Sequence, residues 1–233
     1  MRAADWVTGK APVVIKQACE LVPEIGGRSS VIENGLEVPP LMPEPLAVDP
    51  PRLLCLGRLF PQKGFDVAIS AMALLSDRFP QLRLVIAGDG PERSKLERQI
   101  AEFGLTEQVE LVGWVAPDKI PALINTSMAV LMPSRWEGLP SVALQAGVMA
   151  RPLVATEVGG LREVVVDQQT GIVVEPEDSE GVADAVAFLV AHPEAATRMG
   201  QNARYRVQTE FSWQRCVDAY DALYRKLTNG GSH

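Results

Sequence analysis

From residue 53 onward, short aliphatic or β-branched runs alternate with longer stretches whose apolar positions recur at helical spacing. Leu53-Leu54-Cys55-Leu56-Gly57 has no in/out alternation and reads as a strand buried on both faces, whereas over Gly64 to Arg78 the residues Ala68, Met72, Leu75 and Phe79 share one helical face. The pattern then repeats. Strands are predicted at Leu82 to Ala87, Val109 to Val112, Met128 to Met132, Leu153 to Ala155 and Gly171 to Val174. Helices are predicted between them at Pro91 to Phe103, Pro117 to Asn125, Pro140 to Met149 and Leu161 to Val166. Pro91 suits a first helical turn and Gly104 the residue after a helix end. Continuous apolar runs in strand–helix alternation imply a parallel sheet covered on both faces, so the expected core is a doubly wound, Rossmann-like α/β domain.

After Pro176 only helices are predicted: Asp178 to Ala191, Pro193 to Glu210 and Ser212 to Leu227. The last has Ser212 in place to cap it and a stripe of Trp213, Cys216, Val217, Tyr220, Leu223, Tyr224 and Leu227 that needs cover. The opening 40 residues fit the core less well, with a helix-like piece at Pro12 to Val22, a strand-like piece at Ser30 to Glu33, a turn at Asn34-Gly35 and a Pro-rich run from Pro39 to Pro51. They read as a fragment plus a linker.

Composition narrows the chemistry. The chain's 233 residues favour one large domain, and 22 Lys and Arg against 29 Asp and Glu argue against nucleic acid or a polybasic membrane contact, which need a cationic surplus. The longest uncharged apolar stretch, Gly138 to Ala150, falls short of the ~18 residues a membrane helix requires, and Asp5 and Lys10 interrupt the place of a secretory leader. Cys19, Cys55 and Cys216 are odd in number and show neither disulfide nor zinc spacing, so reduced thiols and a cytoplasmic location are expected. With His192 and His233 as the only histidines, neither a Ser-His-Asp nor a Cys-His arrangement nor a His-rich metal site is at hand; chemistry must use carboxylates, amides, cations or backbone.

Ligands of a doubly wound sheet sit beyond the C-terminal strand ends, and five loops there are informative. Gly57-Arg58-Leu59-Phe60-Pro61-Gln62-Lys63-Gly64 places two cations ahead of a helix, suited to a diphosphate or else simply solvated. Gly88-Asp89-Gly90-Pro91 begins like a dinucleotide fingerprint but has Arg93 at the third glycine position, which disfavours a dinucleotide-dependent oxidoreductase, and no GxxxxGK[ST] phosphate loop occurs. Val112-Gly113-Trp114-Val115 offers backbone to a base edge, with Trp114 equally readable as packing. Glu137-Gly138-Leu139-Pro140 leads into a small, apolar helix whose one long polar side chain, Gln145, is read as directed at a ligand that Glu137 also reaches, or as satisfied by backbone. Thr156-Glu157-Val158-Gly159-Gly160 could present free N–H groups to an anion, or be a plain turn.

The order GRL-x-x-x-KG, GDGP, VELVGWV, PSRWEGLP-x-x-x-x-Q, EVGGLREVV, TGIVVEP resembles the C-terminal, donor-binding half of retaining GT-B glycosyltransferases of the family 4 type, from about Ser30 to Tyr224. The resemblance implies a nucleoside diphosphate sugar as donor substrate, with no cofactor and no metal. It implies Arg58 and Lys63 on the diphosphate, Glu137 on the transferred sugar (these three as the catalytic set), and Gly57, Gly88, Gly113, Trp114, Val115, Gly138, Leu139, Pro140 and Gln145 around the donor. Gln145 departs from the family's second Glu; a neutral amide in place of a carboxylate weakens a ribose contact by about 1–2 kcal/mol.

It also divides the chain into 1–38, a remnant of an N-terminal acceptor domain and hinge, and 39–233, the nucleotide-sugar-binding domain with its C-terminal helices. Without an acceptor domain the chain is expected to bind donor and not turn over, and its uncovered terminal segments to self-associate. The alternatives are a non-catalytic interaction module with a decayed donor site and, less favoured for want of histidines, a sugar-nucleotide epimerase.

Overall fold

The computed structural model describes residues 3–229. The chain opens with a small unit: strand β1 (Val7–Gly9), helix α1 (Pro12–Leu21) and strand β2 (Ser29–Val31), the two strands pairing in parallel. Pro12 starts α1 at the position where a missing N–H costs nothing. Three-residue β1 has no sequence signature of its own, because its pairing with β2 lies across a whole helix.

The body follows as β3 (Arg52–Leu56), α2 (Phe65–Leu75), β4 (Arg83–Ala87), α3 (Arg93–Glu102), β5 (Val109–Gly113), α4 (Ile120–Asn125), β6 (Ala129–Met132), α5 (Ser141–Val148), β7 (Leu153–Thr156), α6 (Leu161–Val164) and β8 (Gly171–Val174). All six strands are parallel, in the order β5-β4-β3-β6-β7-β8. The continuous apolar runs have the expected cause. Leu53 and Cys55 face a core shared with α2, α3 and α7 (Ser179–Ala191), while Leu54 and Leu56 face a second one shared with α5, α6 and α8 (Pro193–Glu210). Alternation along a strand is invisible when both faces are buried.

The Pro-rich connection to the body is pinned rather than loose. Asn125 Nδ2 donates to Met42 O at 2.9 Å, and the fully buried Arg151 donates to the carbonyls of Glu44 and Asn125 at 3.0 and 2.7 Å. No acid side chain pairs with Arg151 among the described residues, and burial draws its pKa down to about 10. Asn34-Gly35 is no simple turn either: Asn34 Nδ2 donates to Leu139 O at 2.9 Å, and Leu36 forms a parallel bridge with Ser212. There α8 gives way to α9 (Trp213–Asn229), whose first turn receives Ser212 Oγ on the Arg215 N–H at 3.4 Å. None of the α9 residues is buried.

Candidate functional site

The strand order reverses between β3 and β6, so the loops that follow these two strands diverge around a crevice, the usual ligand position in such sheets. Both loops carry residues singled out in the sequence. They are tied together at the backbone, where Arg135 N donates to Gln62 O at 2.8 Å. They are tied again by the Arg135 guanidinium, which grips Asp66 of α2 in a two-pronged pair at 2.9 and 2.8 Å, reaches Pro61 O, and meets Glu177 beyond β8 at 2.9 Å and at a second, shorter contact. Burial pushes the Asp66 carboxyl up, but the hydrogen bonds and charge of Arg135 outweigh it and hold it below the ordinary carboxylate value. The same acids raise the pKa of Arg135. Arg135 lies inside a recognised motif, yet no spacing in the sequence relates it to partners 69 and 42 residues away.

With the loops fixed, Lys63 and Glu137 come together. Lys63 Nζ donates to Glu137 Oε1 at 2.6 Å, and Ser134 Oγ donates to the same oxygen at 2.8 Å. Glu137 is only 5% exposed, and Lys63 lies at the crevice surface with 16% of its side chain accessible. Arg58, in the same loop as Lys63, is exposed, its guanidinium over the Phe60 ring at 5.0 Å. An acid with fixed hydrogen-bonding partners, a cation paired with it and a second, exposed cation on the same loop are the chemistry needed to hold a hydroxylated, doubly phosphorylated ligand.

The glycines flanking the crevice serve close approach. A Cβ on Gly88 (φ +142°) would lie 1.8 Å from Gly57 O, so the loops after β3 and β4 can touch only if that position is bare. Gly159 and Gly160 bring the fifth loop against Glu137 O and Gly138 O at distances of 1.8 and 1.9 Å from their would-be Cβ atoms, and Gly160 N donates to Glu137 O at 3.4 Å. The fifth loop therefore buttresses the Glu137 backbone, and Gly160 N–H is not free for an anion.

Other residues are distributed differently. Gly113 (φ +77°) turns the chain after β5 and leaves Trp114 72% exposed, so Trp114 is not a packing residue in this chain; Val115 beside it is half-buried. Leu139 is buried beneath the crevice, with Pro140 ahead of α5. Gln145 is half-buried and lines a small cavity of about 110 Å³ with Leu36, Glu37, Pro121 and Ile124; Glu137 does not line it, and the Gln145 side chain makes no hydrogen bond among the described residues. The expectation that one ligand lies against both Gln145 and Glu137 is not met by a shared cavity here. A larger cavity of about 710 Å³ opens beyond β7 and β8, and neither Lys63 nor Glu137 lines it. Two of its acids are satisfied locally: Asp167 accepts from Val173 N at 2.9 Å, and Asp178 caps α7 through Gly181 N at 2.8 Å. Among the described residues no group of three or more His, Cys, Asp or Glu is placed to hold a metal ion, and no helix is long and apolar enough to cross a membrane.

A six-stranded doubly wound body with this crevice is one Rossmann-like half of the GT-B fold. The pattern of the family of glycosyl transferases group 1 matches residues 42–206, and the chain belongs to that family. It is 38% identical over 179 residues to an alpha-D-kanosaminyltransferase of Streptomyces kanamyceticus, covering 77% of this chain and 46% of that protein. Sucrose-phosphate synthase from Thermosynechococcus elongatus superposes with a TM-score of 0.86 at 27% identity, over 98% of this chain and 59% of that one. The Anabaena HepE protein, solved in complex with UDP, superposes with a TM-score of 0.85 at 23% identity, over 96% of this chain and 65% of that one. The chain spans about half the length of the curated relatives it matches.

Proposed function

We propose that this chain is the donor-binding half of a retaining glycosyltransferase that takes a sugar from a nucleoside diphosphate sugar without a metal. Residues 1–38 then belong to an acceptor-side unit and its hinge, and the body from residue 39 carries the donor. The observation that carries the reading is the meeting of Lys63 with Glu137 at 2.6 Å in the crevice where the strand order reverses.

In this reading the donor diphosphate lies along the loop after β3. Arg58 forks onto its oxygens and Lys63 adds a point charge, and together they stabilise the negative charge that builds on the leaving nucleoside diphosphate. Glu137 accepts hydrogen bonds from hydroxyls of the transferred sugar and fixes it with its reactive carbon at the mouth of the crevice, where an acceptor held by a second domain would attack. The exposed Trp114 and the backbone of Gly113 and Val115 receive the nucleotide base, and Gly138, Leu139 and Pro140 form the floor. UDP in the HepE complex supports a nucleotide ligand on this fold.

Calorimetric titration of the chain with UDP, GDP and ADP tests the assignment without an acceptor. One of the three should bind in the micromolar to millimolar range, and Arg58→Ala should weaken it by about 1.5–3 kcal/mol, the loss of a charged hydrogen bond. If none of them binds, the donor-site reading fails and a role in protein interaction takes its place.

A further inference from the structure

Glu137 is a nearly buried carboxylate, and its two oxygens are not equivalent. Oε1 receives both the Lys63 ammonium at 2.6 Å and the Ser134 hydroxyl at 2.8 Å. Oε2 accepts no hydrogen bond among the described residues, and it is not sealed from solvent. Ser134 itself is 1% exposed, so its hydroxyl has no water to turn to. Its backbone is held as firmly. The buried Thr156, at the end of β7, donates its hydroxyl to Ser134 O at 2.5 Å and has Met132 O within 3.4 Å. A chain of two hydroxyls thus runs from the sheet to one oxygen of the acid.

We propose that Ser134 is a positioning residue for sugar recognition: by occupying Oε1 together with Lys63, its hydroxyl turns Oε2 of Glu137 toward the hydroxyls of the donor's sugar, and Thr156 fixes the loop from which it acts. This rests on the donor-site reading above. A carboxylate with one oxygen saturated by fixed donors has one lone acceptor left and a fixed plane, which is how a buried acid is made directional. Lys63 alone fixes the plane less well, since its ammonium sits on a flexible stem and donates through three rotatable N–H groups. The arrangement also separates two tasks in one site: the diphosphate is met by Arg58 and Lys63, which Ser134 does not touch, while the sugar is met through the acid that it orients.

The test compares the diphosphate with the sugar form on the full chain, using the pairs UDP and UDP-glucose, GDP and GDP-mannose, ADP and ADP-glucose. For the pair that binds, Ser134→Ala should weaken the sugar form about tenfold and leave the bare diphosphate within about twofold, the difference being one hydrogen bond to a charged group. Thr156→Val should shift the same ratio in the same direction by less. Equal weakening of both forms marks a merely structural serine and overturns the proposal, as does no change. If the unaltered chain binds no member of any pair, the donor-site reading fails on its own. The positioning is then judged without ligand, from thermal unfolding of Ser134→Ala, Glu137→Gln and the double variant. A double variant that loses clearly less than the sum of the singles upholds the hydroxyl–carboxylate link, and strict additivity overturns it.

Discussion

Helices α7 and α9 are both amphipathic, yet they meet opposite fates. α7 buries Val182, Ala183, Ala185, Val186, Ala187 and Leu189 against the sheet, while α9 buries none of its 17 residues and leaves Trp213 56% and Tyr224 62% exposed. The difference is in what each finds opposite it. α7 meets α2 and the edge of a continuous sheet, whereas α9 is met by the chain crossing at Leu36 and Ser212 and, through Lys226, by Trp6 ahead of β1. Amphipathicity states that a helix needs a partner; the rest of the chain decides whether one is present. The two regions are accordingly a closed body and an open end.

The three cysteines probe this contrast with the largest expected effect. Cys55 is fully buried in β3 and burial pushes its thiol up, while Cys19 in α1 and Cys216 in α9 are half-exposed. A thiol reagent at neutral pH should modify Cys19 and Cys216 at least about a thousandfold faster than Cys55, which waits on opening of the body. Comparable rates for all three would show that the body is no better closed than the end.

Stability measurements come next. Leu53→Ala should cost about 2–5 kcal/mol in denaturant unfolding, as large-to-small core changes do, whereas Val217→Ala on the open stripe of α9 should cost under about 0.5 kcal/mol. A similar loss from both would mean that α9 is covered in solution, by a second copy of the chain, and light scattering would then show a mass that rises with concentration.

A pH effect of smaller size should come from Arg135. Because the folded Asp66 carboxyl is held below its ordinary value of 3.8, its contribution is fully present above that pH and is lost as pH falls through the folded value. Arg135→Met should therefore lower stability at neutral pH and flatten the fall of the unfolding midpoint below about pH 4. The smallest effect is expected at the far end of α9, where Lys226 Nζ lies 4.2 Å from the Trp6 ring centroid. Lys226→Met should cost about 0.5 kcal/mol, with no change in nucleotide affinity.

Most of the body was legible in the sequence because Gly and Pro bound each apolar run, and strand and helix edges fall within a few residues of the expected ones. β1 was not, since a three-residue strand is defined by a partner and not by its own pattern. The candidate site divides in the same way. Its residue types could be read from loops that follow strands, but Lys63 and Glu137 are 74 positions apart and only the order of strands makes them neighbours. Arg135 had no legible role for the same reason, and the fifth loop's glycines, read there as either anion ligands or a turn, are spacers against Glu137 and Gly138. Gln145 could be placed on its helix and at the family's second acid position, but neither tells which cavity a half-buried side chain lines, and here it is the small one beside Leu36 and Glu37.

The crossing beside Ser212 has a further consequence. Leu36 N donates to Phe211 O at 2.9 Å and Leu36 O accepts from Trp213 N at 3.3 Å, so the polypeptide enters the body and leaves it through a single doorway. A module with one doorway can be exchanged as a cassette: two cuts in a gene, far apart in the reading frame, fall at one point in space. Any other partner unit presenting the same pair of ends would meet the body at that one point, without a new loop to close.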